Sequence, residues 1–287
     1  MITKEFKQKI VKAIKGRLLH YKSAAKMAVA LGINGAQLSR IQKGELDNVL
    51  SDANWISIAR KLDVQLHEET AWKTAKTPVF MHVYTQLQAC QSGSLSGLLC
   101  DMADIGKTYT AQQYVKENRM AVYIDCSQYK SKYQLMRAIA REFGVGSAGR
   151  YADMYADLVF YLKSIPNPLI ILDEAGDLSY AAFLELKAIW NATEGFCGWY
   201  MMGADGLRRK IENNILYKKV GYAEIFSRFG SRYQKITPDG REALEEFQNT
   251  QVAMIAKVNN EKADVKAVVV KTGGSLRRVR IELRKTA

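Results

Sequence analysis

A lysine and a threonine that could hold a phosphate lie in the segment CDMADIGKTYT, residues 100–110. The order Gly106-Lys107-Thr108 ends the pattern G-x-x-x-x-G-K-[ST]. In that pattern backbone N–H groups surround the phosphates, the lysine reaches the β and γ oxygens, and the hydroxyl binds Mg²⁺. A helix is expected to begin here, so its N-terminus would also face the anion. The expected nucleotide contacts are Asp104, Ile105, Gly106, Lys107, Thr108 and Tyr109.

Two aspartates depart from this pattern. Asp101 stands in place of the first glycine, and Asp104 in place of a glycine often found inside the loop. Aspartate adopts left-handed backbone more readily than most residues, although less readily than glycine. The loop can therefore close if both carboxylates point outward, whereas an inward carboxylate would repel the phosphate. At this point a working nucleotide site and a degenerate one both remain open.

Two acidic residues, Asp173 and Glu174, end the apolar run LIILDEA at residues 169–175. A P-loop ATPase needs one carboxylate in the shell of its metal ion and a base that orients the attacking water. Asp173 fits the first role, with Thr108 as a second metal ligand, and Glu174 fits the catalytic role. The loop and the acidic strand end follow in the order and at the spacing of a P-loop ATPase. The sequence therefore predicts ATP and Mg²⁺ as ligands, and ATP hydrolysis.

Apolar runs alternate with helical stretches from residue 79 onward, and these elements must position the loop and the acids. Near-continuous apolar strands between helices predict an α/β fold with a parallel sheet covered on both faces. The predicted strands are 96–101, 121–126, 168–173, 199–203 and 233–237. The predicted helices are 107–118, 131–143, 151–164, 179–193, 206–217 and 222–229.

The segment AAKMAVALGINGAQLSRIQKGE, residues 24–45, predicts two short helices that meet at an angle. Ala28 is small where the helices would cross, and Gly32 falls at the turn. This spacing resembles the helix-turn-helix of the Cro/repressor family, in which the second helix enters the major groove. A helical bundle used for protein contact is the alternative. The expected DNA contacts are Gln37, Ser39, Arg40 and Lys43.

Positive charge is concentrated at the two ends of the chain. The net charge is +13, with 12 lysine and arginine residues against 5 acidic ones in residues 1–64, and 9 against 3 in residues 257–287. Such a distribution favours a polyanionic partner such as a nucleic acid, with a solvated, solubilising surface as the alternative. A charged N-terminus argues against a signal peptide, and no apolar run is long enough to span a membrane. The 4 cysteines lack metal-ligand spacing, so we expect buried thiols and a cytoplasmic protein.

Three later segments carry a resemblance to the AAA+ ATPases. Arg228 and Arg232 in YAEIFSRFGSR, residues 222–232, resemble the arginine finger that reaches the γ-phosphate of the next subunit. GGSLRRV, residues 273–279, resembles the sensor-2 motif of the helical lid. MMGADGL, residues 201–207, stands where the family has sensor 1. The resemblance implies catalytic roles for Arg228 and Arg232, nucleotide contacts from Arg277 and Arg278, and a sensor-1 role for Asp205.

The expected fold class is therefore a P-loop AAA+ parallel sheet with helices on both faces and a small helical lid, preceded by an all-α helix-turn-helix domain. We place the helix-turn-helix domain at residues 1–65 and a linker at 66–78. The ATPase core spans 79–238, and the basic helical lid spans 239–287.

This domain order is similar to the transposition ATPases of the phage Mu B type, which are related to the IstB and TnsC types. The resemblance implies a homo-oligomer that assembles with ATP into filaments or rings on duplex DNA with little sequence preference. It also implies a transposase as partner, and no membrane. Initiator-like AAA+ proteins hold DNA after the second strand, which implies Lys130 and Lys132 as further DNA contacts. Arg150, in the loop GVGSAGR, is another candidate, and ordinary solvated surface charge is the alternative for all three.

Two other functions remain open at this stage. A helicase loader or replication initiator shares the AAA+ core and would bind a replicative helicase. A helix-turn-helix repressor with a degenerate nucleotide site would explain the two aspartates in the loop.

Overall fold

Four parallel strands form the sheet in the part of the chain that the computed structural model describes, which is residues 2–18, 21, 23–64 and 72–285. The strands are β1 (Ser96–Cys100), β2 (Ala121–Asp125), β3 (Leu169–Asp173) and β4 (Gly198–Gly203), in the order β1-β4-β3-β2. All neighbouring pairs are parallel. Because β3 and β4 are buried along their whole length, their sequences read as unbroken apolar runs.

Helices cover both faces of this sheet, and the α/β class with a parallel sheet is confirmed. One face packs against α5 (Pro78–Gly93) and α6 (Lys107–Glu117). The opposite face packs against α7 (Lys132–Glu142), α8 (Tyr151–Ser164), α9 (Tyr180–Ala192), α10 (Asp205–Leu216) and α11 (Tyr222–Arg228). All four cysteines are buried.

The predicted fifth strand at 233–237 is reduced to one parallel bridge between Leu99 and Gln234. The N–H of Cys100 donates to the Gln234 carbonyl, and the Gln234 N–H donates to the Leu98 carbonyl. The backbone N–H groups of Ile236 and Thr237, two and three residues further on, donate to the Asp101 side chain of the phosphate loop instead of to a strand. This diversion ends the pairing after one residue.

Helix α5 was not predicted, although its start carries a recognisable signal. Thr77 accepts a hydrogen bond from the Phe80 N–H as N-cap, and Pro78 is the first helical residue. The helix approaches the sheet so closely that a Cβ at Gly198 would lie 2.2 Å from the Cys90 carbonyl oxygen. The proposed linker end at residue 78 is therefore wrong, because Pro78 belongs to the core helix.

The described part of the proposed linker, residues 72–77, is packed against the core and the lid. Lys73 exchanges backbone hydrogen bonds with the Asn259 side chain. The Thr74 and Tyr109 hydroxyls lie 2.7 Å apart. The remainder of the proposed linker, residues 66–71, lies outside the described residues.

The predicted lid consists of α12 (Arg241–Asn259), α13 (Val265–Thr272) and α14 (Leu276–Lys285). These helices enclose a small core of their own, formed by Val252, Ala256, Val268, Val279 and Leu283. Residues 286–287 of the predicted lid lie outside the described part.

The N-terminal region contains α1 (Lys4–Arg17), α2 (Ala24–Leu31), α3 (Gly35–Gln42) and α4 (Asp52–Lys61) around a separate apolar core. Gly32 takes a left-handed φ of 74° between α2 and α3, as the turn between the two helices requires. The ammonium of Lys26 lies 4.2 Å from the ring centre of Tyr161 on α8. None of the helices in the described residues is both long and apolar enough to cross a bilayer.

Candidate nucleotide-binding site

The phosphate loop has the backbone shape that its sequence predicts. Gly106 adopts a φ of 98°, which a Cβ would disfavour, and α6 begins at the next residue. The Lys107 side chain is buried, and its ammonium donates to the carbonyls of Asp101 at 2.7 Å and Met102 at 2.6 Å. Burial lowers the pKa of Lys107. The cation is thus held inside the loop, beside the N-terminus of α6.

The Asp101 carboxylate is directed toward the segment that precedes the lid. One oxygen accepts from the N–H groups of Ile236 at 2.6 Å and Thr237 at 2.9 Å. The other accepts from the Thr237 hydroxyl at 2.5 Å and from the Met102 N–H at 2.8 Å. With only 1% of its surface exposed, Asp101 is a buried structural carboxylate that replaces the glycine of the pattern.

We expect Asp101→Gly, which restores the usual pattern, to destabilise the protein. Three backbone N–H groups and one hydroxyl lose their acceptor, and the expected loss is about 3–5 kcal/mol in the free energy of unfolding. Asp101→Asn keeps one acceptor oxygen and should lose less. Urea unfolding followed by circular dichroism measures both. A glycine variant as stable as the parent would contradict this role of Asp101.

The second substituted position, Asp104, also turns its side chain away from the loop interior. Its φ is 61°, in the left-handed region that the pattern's glycine would adopt freely. One carboxylate oxygen accepts from the Ser275 hydroxyl at 2.6 Å, and the other accepts from the Arg277 N–H at 3.1 Å. Both partners lie at the start of lid helix α14. The two aspartates are therefore accommodated by contacts that the glycines could not make.

The Asp173 carboxylate at the end of β3 joins three groups. It accepts from the Thr108 hydroxyl at 2.6 Å, from the Tyr123 hydroxyl at 2.9 Å and from the Glu174 N–H at 2.9 Å. Tyr123 lies on the adjacent strand β2 and was not predicted as a site residue. The hydroxyl and carboxylate oxygens of Thr108 and Asp173 are a donor pair that suits Mg²⁺, which prefers oxygen ligands.

Glu174 follows directly and has a left-handed φ of 49°. Its side chain is exposed and lines the cleft that contains the phosphate loop. Partial desolvation of the carboxyl in the cleft, and then the nearby charge of Asp173, raise the pKa of Glu174. Strained backbone at a cleft carboxylate is a common feature of functional positions. The carboxylate is placed where it could orient a water beside the loop.

The cleft has a volume of about 640 Å³, within the range of small-molecule sites. The residues Ala103–Thr110 form its floor. Apolar side chains from residues 72–77, from α5 and from the lid form part of its wall, namely Trp72, Ala75, Phe80, Ile255 and Leu276. None of these apolar residues was predicted, because they come from segments far apart in the chain. The polar floor and the apolar wall can accommodate the two ends of a nucleotide.

Of the two predicted lid arginines, Arg277 lines the cleft and Arg278 is exposed outside its lining. The Arg277 side chain is 82% exposed, and its Nε lies 3.7 Å from the Asp104 carboxylate. Arg280, one turn further along α14, lines the cleft and lies 5.6 Å from the ring centre of Trp72. Because Arg280 lies one helical turn after Arg277, the helical period of α14 could have indicated Arg280 as a further cleft residue.

The two predicted finger arginines differ in their surroundings. The Arg228 guanidinium donates to the Asn191 side chain at 2.6 Å and to the Glu224 carbonyl at 2.9 Å, and it stacks on Trp190. Arg232 is exposed, and no side-chain partner is found for it among the described residues. Asp205, the predicted sensor-1 residue, begins α10 at the surface, outside the cleft lining.

The predicted DNA contacts of the N-terminal region lie on α3 and, for Lys43, directly after its last residue. Ser39, Arg40 and Lys43 are exposed, and Arg40 pairs with Glu45 at 2.7 Å. Gln37, predicted to be a free donor, is not free: its amide oxygen accepts from the Asn34 N–H, and its amide nitrogen donates to the Val49 carbonyl. The capping box at the start of α3 therefore uses Gln37.

The predicted DNA contacts of the core lie at the starts of α7 and α8. Lys130 pairs with Asp177 at 3.4 Å, and Arg150 pairs with Asp153 at 3.0 Å. The Lys132 ammonium lies 5.7 Å from the ring centre of Tyr151, the residue next to Arg150. The structure thus brings Lys132 and Arg150 to one edge of the core.

Comparison with known proteins agrees with this site. Residues 90–211 match the AAA domain family. Over 260 residues the chain is 24% identical to the Mu-like prophage FluMu DNA transposition protein B of Haemophilus influenzae, with 85% of this chain and 88% of that protein covered.

Among solved structures, that of the Aeropyrum pernix ORC2 protein in ADPNP-ADP complexes superimposes with a TM-score of 0.49 at 16% identity. The superposition covers 72% of this chain and spans 59% of that chain.

The AAA match begins just before the phosphate loop and extends past the paired acids of β3, so it covers the site described above. Residues 90–211 thus match an AAA domain, and most of the chain is similar in sequence to a transposition protein B.

Proposed function

We propose that this protein is an ATP-dependent DNA-binding ATPase that assembles on duplex DNA, largely without sequence preference, and directs a transposase to its target. The observation that carries the proposal is the joined phosphate loop and acidic strand end, in which Thr108 and Asp173 lie 2.6 Å apart. The sequence relative named for DNA transposition supports the biological role. The cytoplasm is the compartment we propose.

In this proposal the loop residues bind the triphosphate of ATP. Lys107 exchanges its loop carbonyls for the β and γ oxygens, and the N–H groups at the start of α6 donate to the same phosphates. Thr108 and Asp173 hold Mg²⁺, which when bound neutralises phosphate charge. Glu174 orients the attacking water, and the apolar wall with Trp72 and Phe80 receives the base.

Self-assembly is the second part of the proposal. Three exposed apolar side chains lie at the end of α10 and in the turn before α11, namely Leu216, Tyr217 and Val220, and they favour a contact with another copy of the chain. Arg232 lies beyond α11 with its guanidinium available, whereas Arg228 is engaged inside its own subunit. We therefore assign Arg232 as the residue that reaches the γ-phosphate of the neighbouring subunit, and Arg228 as the residue that holds α11 against α9.

Arg232→Ala should abolish the ATP-dependent increase in sedimentation coefficient while leaving ATP binding by the monomer unchanged. Arg228→Ala should instead lower thermal stability, because two hydrogen bonds and a stacking contact are lost. Sedimentation velocity with a non-hydrolysable ATP analogue and with ADP measures the first effect. The assignment would be reversed if Arg232→Ala assembled normally and a stably folded Arg228→Ala protein did not.

DNA contact in the proposal comes from two sets of residues. The first is Ser39, Arg40 and Lys43, on α3 and at its C-terminal end, and the second is Lys132 and Arg150 on the core. Binding that depends mostly on phosphate contacts has a steep salt dependence. A footprint on random duplex separates this function from that of a sequence-specific repressor, which would protect one operator only. The repressor alternative is also weakened by the outward contacts of Asp101 and Asp104, since these contacts leave the loop intact.

The transposase remains the proposed partner, and a replicative helicase is the partner expected of a helicase loader. A pull-down with the tagged chain against both proteins, with ATP and with ADP, distinguishes them. Retention of the transposase alone supports the transposition role, and retention of the helicase alone refutes it.

A further inference from the structure

A contact between the phosphate loop and the lid brings together residues 171 positions apart in the chain. Asp104 lies three residues before Lys107, and its carboxylate bonds the Ser275 hydroxyl and the Arg277 N–H. The Asp104 side chain is 25% exposed, so water only partly screens these bonds. The floor of the cleft is thereby joined to the first turn of α14.

The start of α14 is suited to such a partner. The first N–H groups of a helix have no acceptor within the helix, and the helix dipole favours a negative charge there. Asp104 supplies both the acceptor and the charge. The same carboxylate is well placed because its left-handed backbone turns it out of the loop. A glycine at position 104 would leave the Arg277 N–H without this acceptor.

The contact fixes the backbone of Arg277 but leaves its guanidinium largely free. The Arg277 side chain is 82% exposed, and its Nε is 3.7 Å from the Asp104 carboxylate, a weak surface pair. Arg277 lines the same cleft as Lys107 and Thr108. The bonds made by Asp104 therefore determine how far the Arg277 backbone lies from the lysine of the loop.

We propose that Asp104 is a positioning residue that fastens the lid to the phosphate loop and so presents Arg277 to the terminal phosphate of ATP. This inference rests on nucleotide binding in the cleft and requires neither DNA nor assembly. ADP lacks the phosphate to which Arg277 is presented, so loss of the contact should affect ATP more than ADP.

The test compares Asp104→Gly with Asp104→Asn in the full chain, without DNA. Glycine removes both bonds and suits the left-handed backbone, whereas asparagine can accept from the Arg277 N–H and donate to the Ser275 hydroxyl. Fluorescence titrations with a non-hydrolysable ATP analogue and with ADP give the ratio of the affinity for the ATP analogue to the affinity for ADP. We expect Asp104→Gly to lower this ratio about tenfold and Asp104→Asn to retain most of it.

Hydrogen exchange at the Arg277 amide provides a second readout. We expect exchange to be about tenfold faster in Asp104→Gly than in the parent, close to the parent rate in Asp104→Asn, and intermediate in Ser275→Ala. The proposal is overturned if Asp104→Gly and Asp104→Asn both raise the affinity for the ATP analogue and for ADP by the same factor, since Asp104 would then act through charge alone. It is also overturned if Asp104→Gly leaves both the affinity ratio and the exchange rate of the Arg277 amide unchanged. A parent that binds neither nucleotide refutes the nucleotide site itself, whereas a failure confined to the variants refutes only this inference.

Discussion

Replacing Lys107 by methionine will abolish nucleotide binding, with the dissociation constant for ATP rising about 100-fold or more. The ammonium is held inside the loop by two carbonyls, beside the N-terminus of α6, and no other described lysine occupies the loop. Methionine fills a similar volume but carries neither the charge nor the donors that phosphate oxygens require. Isothermal titration with ATP measures the loss.

The control for this variant is Arg119→Ala, which removes an exposed cation just beyond α6 and should leave ATP affinity within about threefold of the parent. Circular dichroism of both variants excludes unfolding as the cause. A folded Lys107→Met protein that binds ATP as the parent does would show that the loop is not the phosphate site.

Replacing Glu174 by glutamine will lower ATP turnover about 10²–10⁴-fold while ATP affinity changes little. Glutamine keeps the shape of the side chain but cannot accept the proton of an attacking water. Since the proposed assembly depends on the intact γ-phosphate, complexes of this variant with DNA and ATP should persist long after parent complexes dissociate. Phosphate release and the lifetime of DNA complexes after ATP dilution measure the two effects.

Asp177→Asn is the matched control, because Asp177 lies three residues further along and pairs with Lys130 on the surface. Its ATP turnover without DNA should equal that of the parent. Equal turnover in the Glu174→Gln variant and the parent would remove Glu174 from the catalytic role.

The central sheet and its phosphate loop were predictable from local sequence. Buried parallel strands require unbroken apolar runs such as LIILD, and the loop pattern marks the end of the first strand. Helix α5 was missed because the polar residues before Pro78 were taken for a linker that ended there. Thr77 and Pro78 in fact mark a helix start, and the apolar positions Val79, Val83 and Leu87 continue that pattern.

The contacts of the two loop aspartates could not be predicted. The distant partners of Asp101, Ile236 and Thr237, lie 135 and 136 residues away in the chain, and Ser275 lies 171 residues from Asp104. Local sequence patterns do not predict contacts between residues that are so far apart in the chain. The role of Tyr123 in the site could not be predicted for a related reason. Its hydrogen bond to Asp173 depends on β2 and β3 being neighbours in the sheet. The different surroundings of Arg228 and Arg232 likewise follow from packing between helices.

Electron microscopy of the protein on long duplex DNA, in ATP and in ADP, tests most directly whether nucleotide links neighbouring subunits. We expect continuous protein filaments or rings to coat the DNA in ATP, and the duplex to be bare in ADP. Identical images in the two nucleotides, coated or bare, would contradict this expectation.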